Sequence, residues 1–253
     1  MPATPAWPPS SLPRLFVDQR IDEGAEIDLS GPAAHYLASV LRLKQGAQLK
    51  LFDDVTGEWL ATIVNAGRRQ VVLKIVAHIR AREDVPDLWL LFAPIKRGRI
   101  DWLVEKATEL GAARLCPVTT RRTIVDRLNL ERLRAHCIEA AEQCERTALP
   151  KLDEPVTLDR LLTSWPEDRA LLFADEAGGE PLADVAKRGP AALLIGPEGG
   201  FTDEERKSIR SAPQARAIAL GPRILRADTA AIAALSVWMA NAGDWNQSAG
   251  SRS

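Results

Sequence analysis

The second half of the chain alternates short apolar runs with amphipathic helical stretches. Three runs, ALLFAD at 170–175, AALLIG at 191–196 and ARAIAL at 215–220, have the length and composition of strands buried on both faces of a parallel sheet. The alternation begins earlier, with LWLLFAP at 88–94 and RLCPVTT at 114–120. Strands that alternate with helices in this way form α/β folds. The pattern predicts an α/β domain, and taken alone it indicates a plain doubly wound sheet.

The first part of the chain follows a different pattern. Short β-like runs separated by glycines extend from about residue 15 to 77, and one helical stretch at 33–44 interrupts them. This predicts a small β-barrel with one inserted helix. We expect the barrel domain over residues 1–77, the α/β domain over 78–246 and a flexible tail over 247–253.

Composition limits the possible functions. The 33 Lys and Arg nearly balance the 34 Asp and Glu, which argues against a protein that coats nucleic acid non-specifically. The N-terminal residues contain prolines where a signal peptide needs a continuous apolar segment, and the longest uncharged stretch, Thr229 to Gly243, is shorter than a membrane span. Cys116, Cys137 and Cys144 lack the paired spacing of a zinc site. We therefore expect a cytoplasmic protein with buried, reduced thiols, no metal and no membrane association.

Two glycine-containing loops each stand between a predicted strand and a predicted helix. They are GPEGGFTDEE at 196–205 and LGPRILRADTA at 220–230. Loops at the carboxyl ends of parallel strands form ligand sites, so these two are expected to be two walls of one pocket. Glycines at 196, 199 and 200 allow a ligand to approach the main chain. The alternative is a tight turn without a ligand.

Local signals around these loops predict where the neighbouring helices begin. Thr202 and Glu205 have the spacing of a capping box, and Asp228 is a plausible N-cap of the last helix. Ile224 and Leu225 are expected to be core residues.

Several cations follow predicted strands and form a possible basic face. Arg223 and Arg226 either bind phosphate or pair with local acids such as Asp203 or Asp228. Arginine and lysine pairs also follow the strands that end near residues 94 and 120. The residues that we single out for phosphate binding on this basis are Lys96, Arg97, Arg121 and Arg122.

Five motifs, in the same order along the chain, resemble the RsmE-type methyltransferases of the SPOUT superfamily. The motifs are HYLASVLRLKQG, KRGRIDWLVEKATELG, AAEQCERT, LLIGPEGGFTDEE and LGPRILRADTA. These enzymes methylate N3 of a uridine in 16S ribosomal RNA with S-adenosylmethionine. The family's last motif commonly has Glu where this chain has Asp228. The resemblance implies a PUA-like β-barrel followed by a SPOUT-type parallel sheet with a C-terminal trefoil knot, working as a homodimer on 16S rRNA or the small ribosomal subunit.

The resemblance implies that Leu194, Ile195, Gly196, Gly200, Leu220 and Leu225 line the cofactor site. Together with the remaining loop residues, the cofactor-binding candidates are Leu194, Ile195, Gly196, Pro197, Gly199, Gly200, Leu220, Gly221 and Leu225. The basic residues that we expect to bind RNA are Arg14, Arg42, Lys96, Arg97, Arg121, Arg122, Arg146 and Arg223.

The reaction itself suggests three catalytic candidates. Uracil N3 carries a proton at neutral pH, so catalysis needs a cation that favours the anion and a base that accepts the proton. Arg226 is the candidate cation, and Glu198 and Asp228 are the candidate bases. Two alternatives stay open: a non-catalytic RNA-binding factor in ribosome assembly, and a SPOUT methyltransferase that acts on tRNA.

Overall fold

A computed structural model describes residues 12–67, 69–125 and 127–246. The tail predicted at 247–253 lies outside these residues. The chain divides into two compact units. The first comprises Met1–Glu83 together with Glu145–Ala148, and the second comprises Asp84–Cys144 and Leu149–Ser253.

The first unit is built on one five-stranded sheet. Its strands, in the spatial order β1-β3-β4-β5-β2, pair antiparallel except for β1 and β3. Strand β5 continues to Arg80, past the boundary expected at residue 77. A short helix followed directly by a π-helical turn connects β2 to β3. The elements are β1 (Arg14–Phe16), β2 (Glu26–Ser30), α1 (Gly31–His35), the π-helical turn (Tyr36–Val40), β3 (Gln48–Asp53), β4 (Gly57–Ala66) and β5 (Gln70–Arg80).

The sheet curls around a core formed by every second residue of its strands. Leu49 and Leu51 of β3 and Leu73 and Ile75 of β5 are buried, as the period of two requires. Register shifts between β4 and β5 mark bulges, which increase the local twist and bend the strands. Among the described residues β1 and β2 remain as edges, so the unit is a half-barrel rather than the closed barrel expected from the sequence.

The second unit is an α/β domain with a parallel sheet. The spatial order is β11-β13-β10-β12-β6-β7-β8, with β9 paired to β7. The strands are β6 (Leu88–Phe92), β7 (Arg114–Thr119), β8 (Lys151–Leu152), β9 (Val156–Thr157), β10 (Ala170–Ala174), β11 (Glu180–Pro181), β12 (Ala191–Ile195) and β13 (Ala215–Ala219). The helices are α2 (Arg99–Glu109), α3 (Leu130–Gln143), α4 (Leu158–Thr163), α5 (Leu182–Val185), α6 (Asp203–Ser211) and α7 (Ala227–Asn241).

The position of β12 within the sheet explains why its sequence is continuously apolar. Leu193 and Ile195 face a core shared with α2, α3, α5 and α7, whereas Leu194 faces a second core shared with α4 and α6. All five residues of β12 are buried because helices cover both faces of the sheet. The predicted α/β class is confirmed.

The predicted helix starts agree with the structure at α6 and differ at α7. The Thr202–Glu205 capping box at α6 is present. At the end of α2, Gly111 has a left-handed φ of 94°. The N-cap of helix α7 is Arg226, two residues before the expected Asp228. Asp228 therefore lies inside the first turn, where its carboxylate accepts a hydrogen bond from the Thr229 amide.

Candidate active site

A cavity of about 380 Å³ opens at the carboxyl edge of the parallel sheet. Three loops line it, and they follow β10, β12 and β13, which are neighbours in the sheet. The structure thus brings together the two glycine-containing loops that the sequence singled out. The start of α7 completes the lining through Ala227 and Ala230.

Sequence reasoning missed the loop after β10. Asp175, Glu176 and Gly178 line the cavity from this side. The available signal was a pair of glycines shortly after an apolar run (ADEAGGE), and glycines after an apolar run also identified the other two loops.

Eight of the nine cofactor-binding candidates line the cavity. Leu194 does not, because its side chain packs on the opposite face of the sheet with Phe173 and Phe201. Phe201 is fully buried and lies behind Gly196, where an added Cβ would meet the ring at 3.1 Å. The eight are Ile195, Gly196, Pro197, Gly199, Gly200, Leu220, Gly221 and Leu225.

Asp175 anchors the loop after β10 to helix α6. Its carboxylate accepts hydrogen bonds from Arg206 Nε at 3.1 Å, Arg210 Nη2 at 2.7 Å and the Ala177 amide at 3.0 Å. Burial by itself raises the pKa of Asp175, but these hydrogen bonds and the two guanidinium charges outweigh it and hold the pKa below its ordinary value. Asp175 is therefore a charged structural group rather than a base available to a substrate.

The turn at Gly200 needs glycine for two reasons. Its φ of 66° is left-handed, and an added Cβ would collide with the carboxylate of Glu176. On the other side of this loop, Arg122 Nη1 donates to the Gly199 carbonyl at 2.5 Å. The main-chain amide of Arg121 donates to Glu205 at 2.7 Å, so the loop after β7 supports both the glycine turn and the capping box.

The three catalytic candidates are placed differently. Glu198 is exposed and lines the cavity. Arg226 and Asp228 are not part of the lining, although they flank Ala227, which is. The Asp228 carboxylate lies 4.0 Å from Arg99 Nε. Among the described residues neither Arg223 nor Arg226 forms the ion pair with a local acid that the sequence left open, since Asp203 pairs with Arg206 instead.

Most of the basic candidates in the second unit are exposed at the same edge of the sheet as the cavity. Lys96 and Arg97 follow β6, and Arg121 and Arg122 follow β7, both of which are parallel to β12. Arg223 is exposed on the cavity itself. These side chains are accessible to phosphate groups.

The structure corrects the prediction for Arg14 and Arg146. Arg14 is buried in the first unit, where Nε donates to Glu58 at 2.5 Å and Nη2 donates to the Arg146 carbonyl at 2.7 Å. Arg146 is only 5% exposed and lies 3.6 Å from Glu83. Buried guanidinium groups with protein partners are not available to RNA. Arg42, by contrast, is exposed and adopts a left-handed φ of 55° after the π-helical turn.

Two further expectations need correction. Ile224 was expected in the core, yet it is 90% exposed at the cavity. Cys144 is exposed as well, whereas Cys116 and Cys137 are buried.

Over the described ranges, no group of side chains has the composition of a metal site, and no helix has the length and hydropathy needed to cross a membrane.

Family models match both parts of the chain. An RNA methyltransferase domain matches residues 82–239, and an RNA methyltransferase PUA domain matches residues 29–76. The second match covers most of the half-barrel, and the first covers the sheet with all three cavity loops.

Comparisons with individual proteins agree with the family models. Ribosomal RNA small subunit methyltransferase E of Rickettsia conorii is 32% identical over 88% of this chain and 93% of its own. A putative methyltransferase from Legionella pneumophila, solved with bound S-adenosylmethionine, is 33% identical and superposes with a TM-score of 0.85 over 92% of this chain and 99% of its own. Ribosomal RNA small subunit methyltransferase E from Neisseria gonorrhoeae, also bound to S-adenosylmethionine, is 25% identical with a TM-score of 0.86 over 93% of this chain and 100% of its own. The chain therefore belongs to the RNA methyltransferase family that includes the ribosomal RNA small subunit methyltransferase E proteins.

Proposed function

We propose that this protein transfers a methyl group from S-adenosylmethionine to N3 of a uridine in the 16S rRNA of the small ribosomal subunit. The observation that carries the proposal is the cavity at the carboxyl edge of the sheet, where glycine-containing loops expose main chain to a ligand. Solved relatives with the same fold bind S-adenosylmethionine, which supports the choice of cofactor.

The residues of the cavity fit this cofactor. A volume of about 380 Å³ lies in the range of small-molecule sites, and the lining combines apolar side chains with exposed main chain. Ile195, Leu220 and Leu225 would hold the apolar parts of the cofactor. The main chain at Gly196, Gly199 and Gly221 would hydrogen-bond its polar groups.

When bound, S-adenosylmethionine supplies an electrophilic methyl group on a sulfonium. The protein must then favour loss of the N3 proton of the uracil. We assign stabilisation of the resulting anion to Arg226, because a cation beside a titrating group favours its negative form. We favour Glu198 over Asp228 as the proton acceptor, because Glu198 lines the cavity whereas Asp228 lies toward Arg99.

We assign RNA binding to the exposed cations at the carboxyl edge of the sheet and to Arg42 in the first unit. The near balance of acidic and basic residues favours a structured target that is recognised by shape and local charge, with the uridine unstacked into the cavity. Such a target implies a cytoplasmic location. The cations concerned are Arg42, Lys96, Arg97, Arg121, Arg122 and Arg223.

We further propose a homodimer. Helix α7 carries no charge after Asp228, and its outer residues Ile232 and Val237 are only partly buried. Trp102 on the neighbouring helix α2 and Ile224 are exposed apolar side chains in the same unit. Sedimentation equilibrium tests this assignment, and a monomer at micromolar concentration would contradict it.

We also propose that the C-terminal region forms a trefoil knot. In support, α7 follows β13 in sequence yet packs beside β12 and β6, two and three strands away. A crystallographic chain trace that closes to an unknotted curve would refute this proposal.

Mass spectrometry of small-subunit rRNA nucleosides tests the function directly. Deleting the gene should remove a 3-methyluridine, and the purified protein with S-adenosylmethionine should restore it. Failure to bind S-adenosylmethionine in calorimetry would favour the non-catalytic assembly factor. Binding with methyl transfer to tRNA alone would favour a tRNA methyltransferase.

A further inference from the structure

We propose that Arg206 is a positioning residue for the cofactor cavity. It holds the acidic turn after β10, residues 175–178, against the glycine turn at Gly200. The proposal rests on the proposed function, because its ligand is S-adenosylmethionine.

Arg206 contacts three carboxylates from two parts of the chain. Its Nε donates to Asp175 at 3.1 Å and its Nη1 donates to Asp203 at 3.2 Å. Its Nη2 donates to Glu176, which lines the cavity. One guanidinium therefore connects the first turn of α6 with the third wall of the cavity.

This arrangement differs from an ordinary surface ion pair. The Arg206 side chain is 19% exposed, and the Asp175 side chain is fully buried. Glu176 and Asp203 are 40% and 85% exposed, so the bond to Asp175 is the buried part of the cluster. Exposed pairs contribute little because water competes for both partners, whereas the charge-assisted hydrogen bond to buried Asp175 fixes the orientation of the guanidinium that also contacts Glu176. Since Glu176 lies directly over Gly200, the position of its carboxylate sets the width of the cavity at this point.

A comparison of two ligands can distinguish a positioning role of Arg206 from an effect of its charge alone. Loss of Arg206 makes the cavity wall more negative, so a charge effect would tighten binding of the cationic sulfonium. Loss of positioning would instead loosen Glu176 and the turn around it, although Arg210 still holds Asp175, and would weaken the binding of any ligand that this wall contacts. S-adenosylhomocysteine has no sulfonium charge but has the same nucleoside and amino-acid groups, so comparing the two ligands separates these effects.

Isothermal titration calorimetry of the full chain with both ligands tests the proposal. Arg206→Met should raise the Kd for S-adenosylmethionine and S-adenosylhomocysteine in parallel by about tenfold, which is close to the net contribution of one hydrogen bond to a charged group. Arg206→Lys should show a smaller rise than Arg206→Met, because the ammonium keeps the positive charge and can still donate to a carboxylate. Some rise should remain, because an ammonium cannot donate to three carboxylates in the geometry of a planar guanidinium. Lys207→Met on the same helix, exposed and outside the cluster, serves as the matched control and should leave both Kd values unchanged.

The outcomes are separable. If the wild-type protein binds neither ligand, the proposed function fails and this inference fails with it. If the wild type binds and Arg206→Met binds equally well, or binds only S-adenosylmethionine more tightly, the inference alone is overturned. Should Arg206→Met not fold, Glu176→Gln and Arg206→Lys carry the test, and unchanged affinity in both would overturn the inference.

Discussion

Glu58 holds the charge cluster of the first unit, and its substitution tests how that unit is stabilised. Its carboxylate accepts from Arg14 Nε at 2.5 Å and from Arg80 Nε at 3.1 Å. The side chains of Glu58 and Arg14 are 2% and 1% exposed, whereas that of Arg80 is 40% exposed. Glu58→Gln keeps the shape of the side chain and removes the negative charge that the buried Arg14 guanidinium contacts.

The expected loss follows mainly from Arg14. Removing one partner of a buried ion pair costs about 3–5 kcal/mol, while an exposed pair such as that with Arg80 contributes roughly 0–1 kcal/mol. Arg14 keeps its hydrogen bond to the Arg146 carbonyl and its position 3.7 Å from the centre of the Phe52 ring. These remaining contacts place the expected decrease in the free energy of unfolding at about 3 kcal/mol, the lower end of the range.

The effect should depend on pH with a definite sign. Burial alone raises the pKa of Glu58, but hydrogen bonds and charge from Arg14 and Arg80 outweigh it and lower the pKa below 4.5. A carboxyl group with a lowered folded-state pKa stabilises the protein above its unfolded-state pKa. That stabilisation is lost as the pH falls through the folded-state pKa. The difference between wild type and Glu58→Gln should therefore be largest near neutral pH and shrink below about pH 4.5.

Urea denaturation followed by circular dichroism at about pH 7 and about pH 3.5 measures this difference. Glu26→Gln, an exposed glutamate on β2 of the same unit, is the matched control and should change stability by less than about 0.5 kcal/mol. A loss below about 1 kcal/mol for Glu58→Gln at neutral pH would refute the reasoning. So would a loss that stays constant on acidification.

Three other predictions concern the second unit. Arg121→Ala should weaken RNA binding and reduce the slope of log K against log salt by about 1, and an unchanged slope in filter binding would remove Arg121 from the RNA interface. Gly200→Ala should weaken S-adenosylmethionine binding at least about tenfold, because the left-handed backbone conformation costs an alanine about 1–2 kcal/mol and the new Cβ displaces Glu176. An unchanged Kd in calorimetry would contradict this. In the native protein iodoacetamide should modify exposed Cys144 long before Cys116, since burial and the neighbouring Asp153 raise the pKa of Cys116; peptide mass spectrometry showing the reverse order would contradict this.

The elements of the fold were largely predictable because their signals are local. The apolar runs at 170–175, 191–196 and 215–220 lie within one residue of β10, β12 and β13. Continuous burial of β12 required an apolar residue at every position, so the sequence reveals a strand covered on both faces. The capping box at α6 was equally readable, since both of its partners lie within four residues.

Errors arose where distant parts of the chain decide the outcome. In the sequence, Arg14 and Arg146 look like ordinary surface cations. In the structure, the Arg14 guanidinium pairs with Glu58 and also donates to the main-chain carbonyl of Arg146, 132 residues away. Ile224 has the composition of a core residue, but it lies on a loop that extends beyond the sheet edge. The sequence predicted a barrel, but the residue pattern of the individual strands does not determine whether the two edge strands, β1 and β2, pair with each other.

The α/β class of the protein could be predicted from local signals, namely strands with apolar residues in a period of two or without interruption, helices with recognisable ends, and two glycine-containing loops between a strand and a helix. These depend on interactions within a few residues, which side-chain chemistry and backbone conformation encode directly. The third, acidic loop that completes the cavity, and the contact through which Arg206 holds this loop against Gly200, became visible in the folded protein. Those contacts join residues about 30 positions apart through the order of the strands in the sheet, and that order is set by the packing of the whole domain.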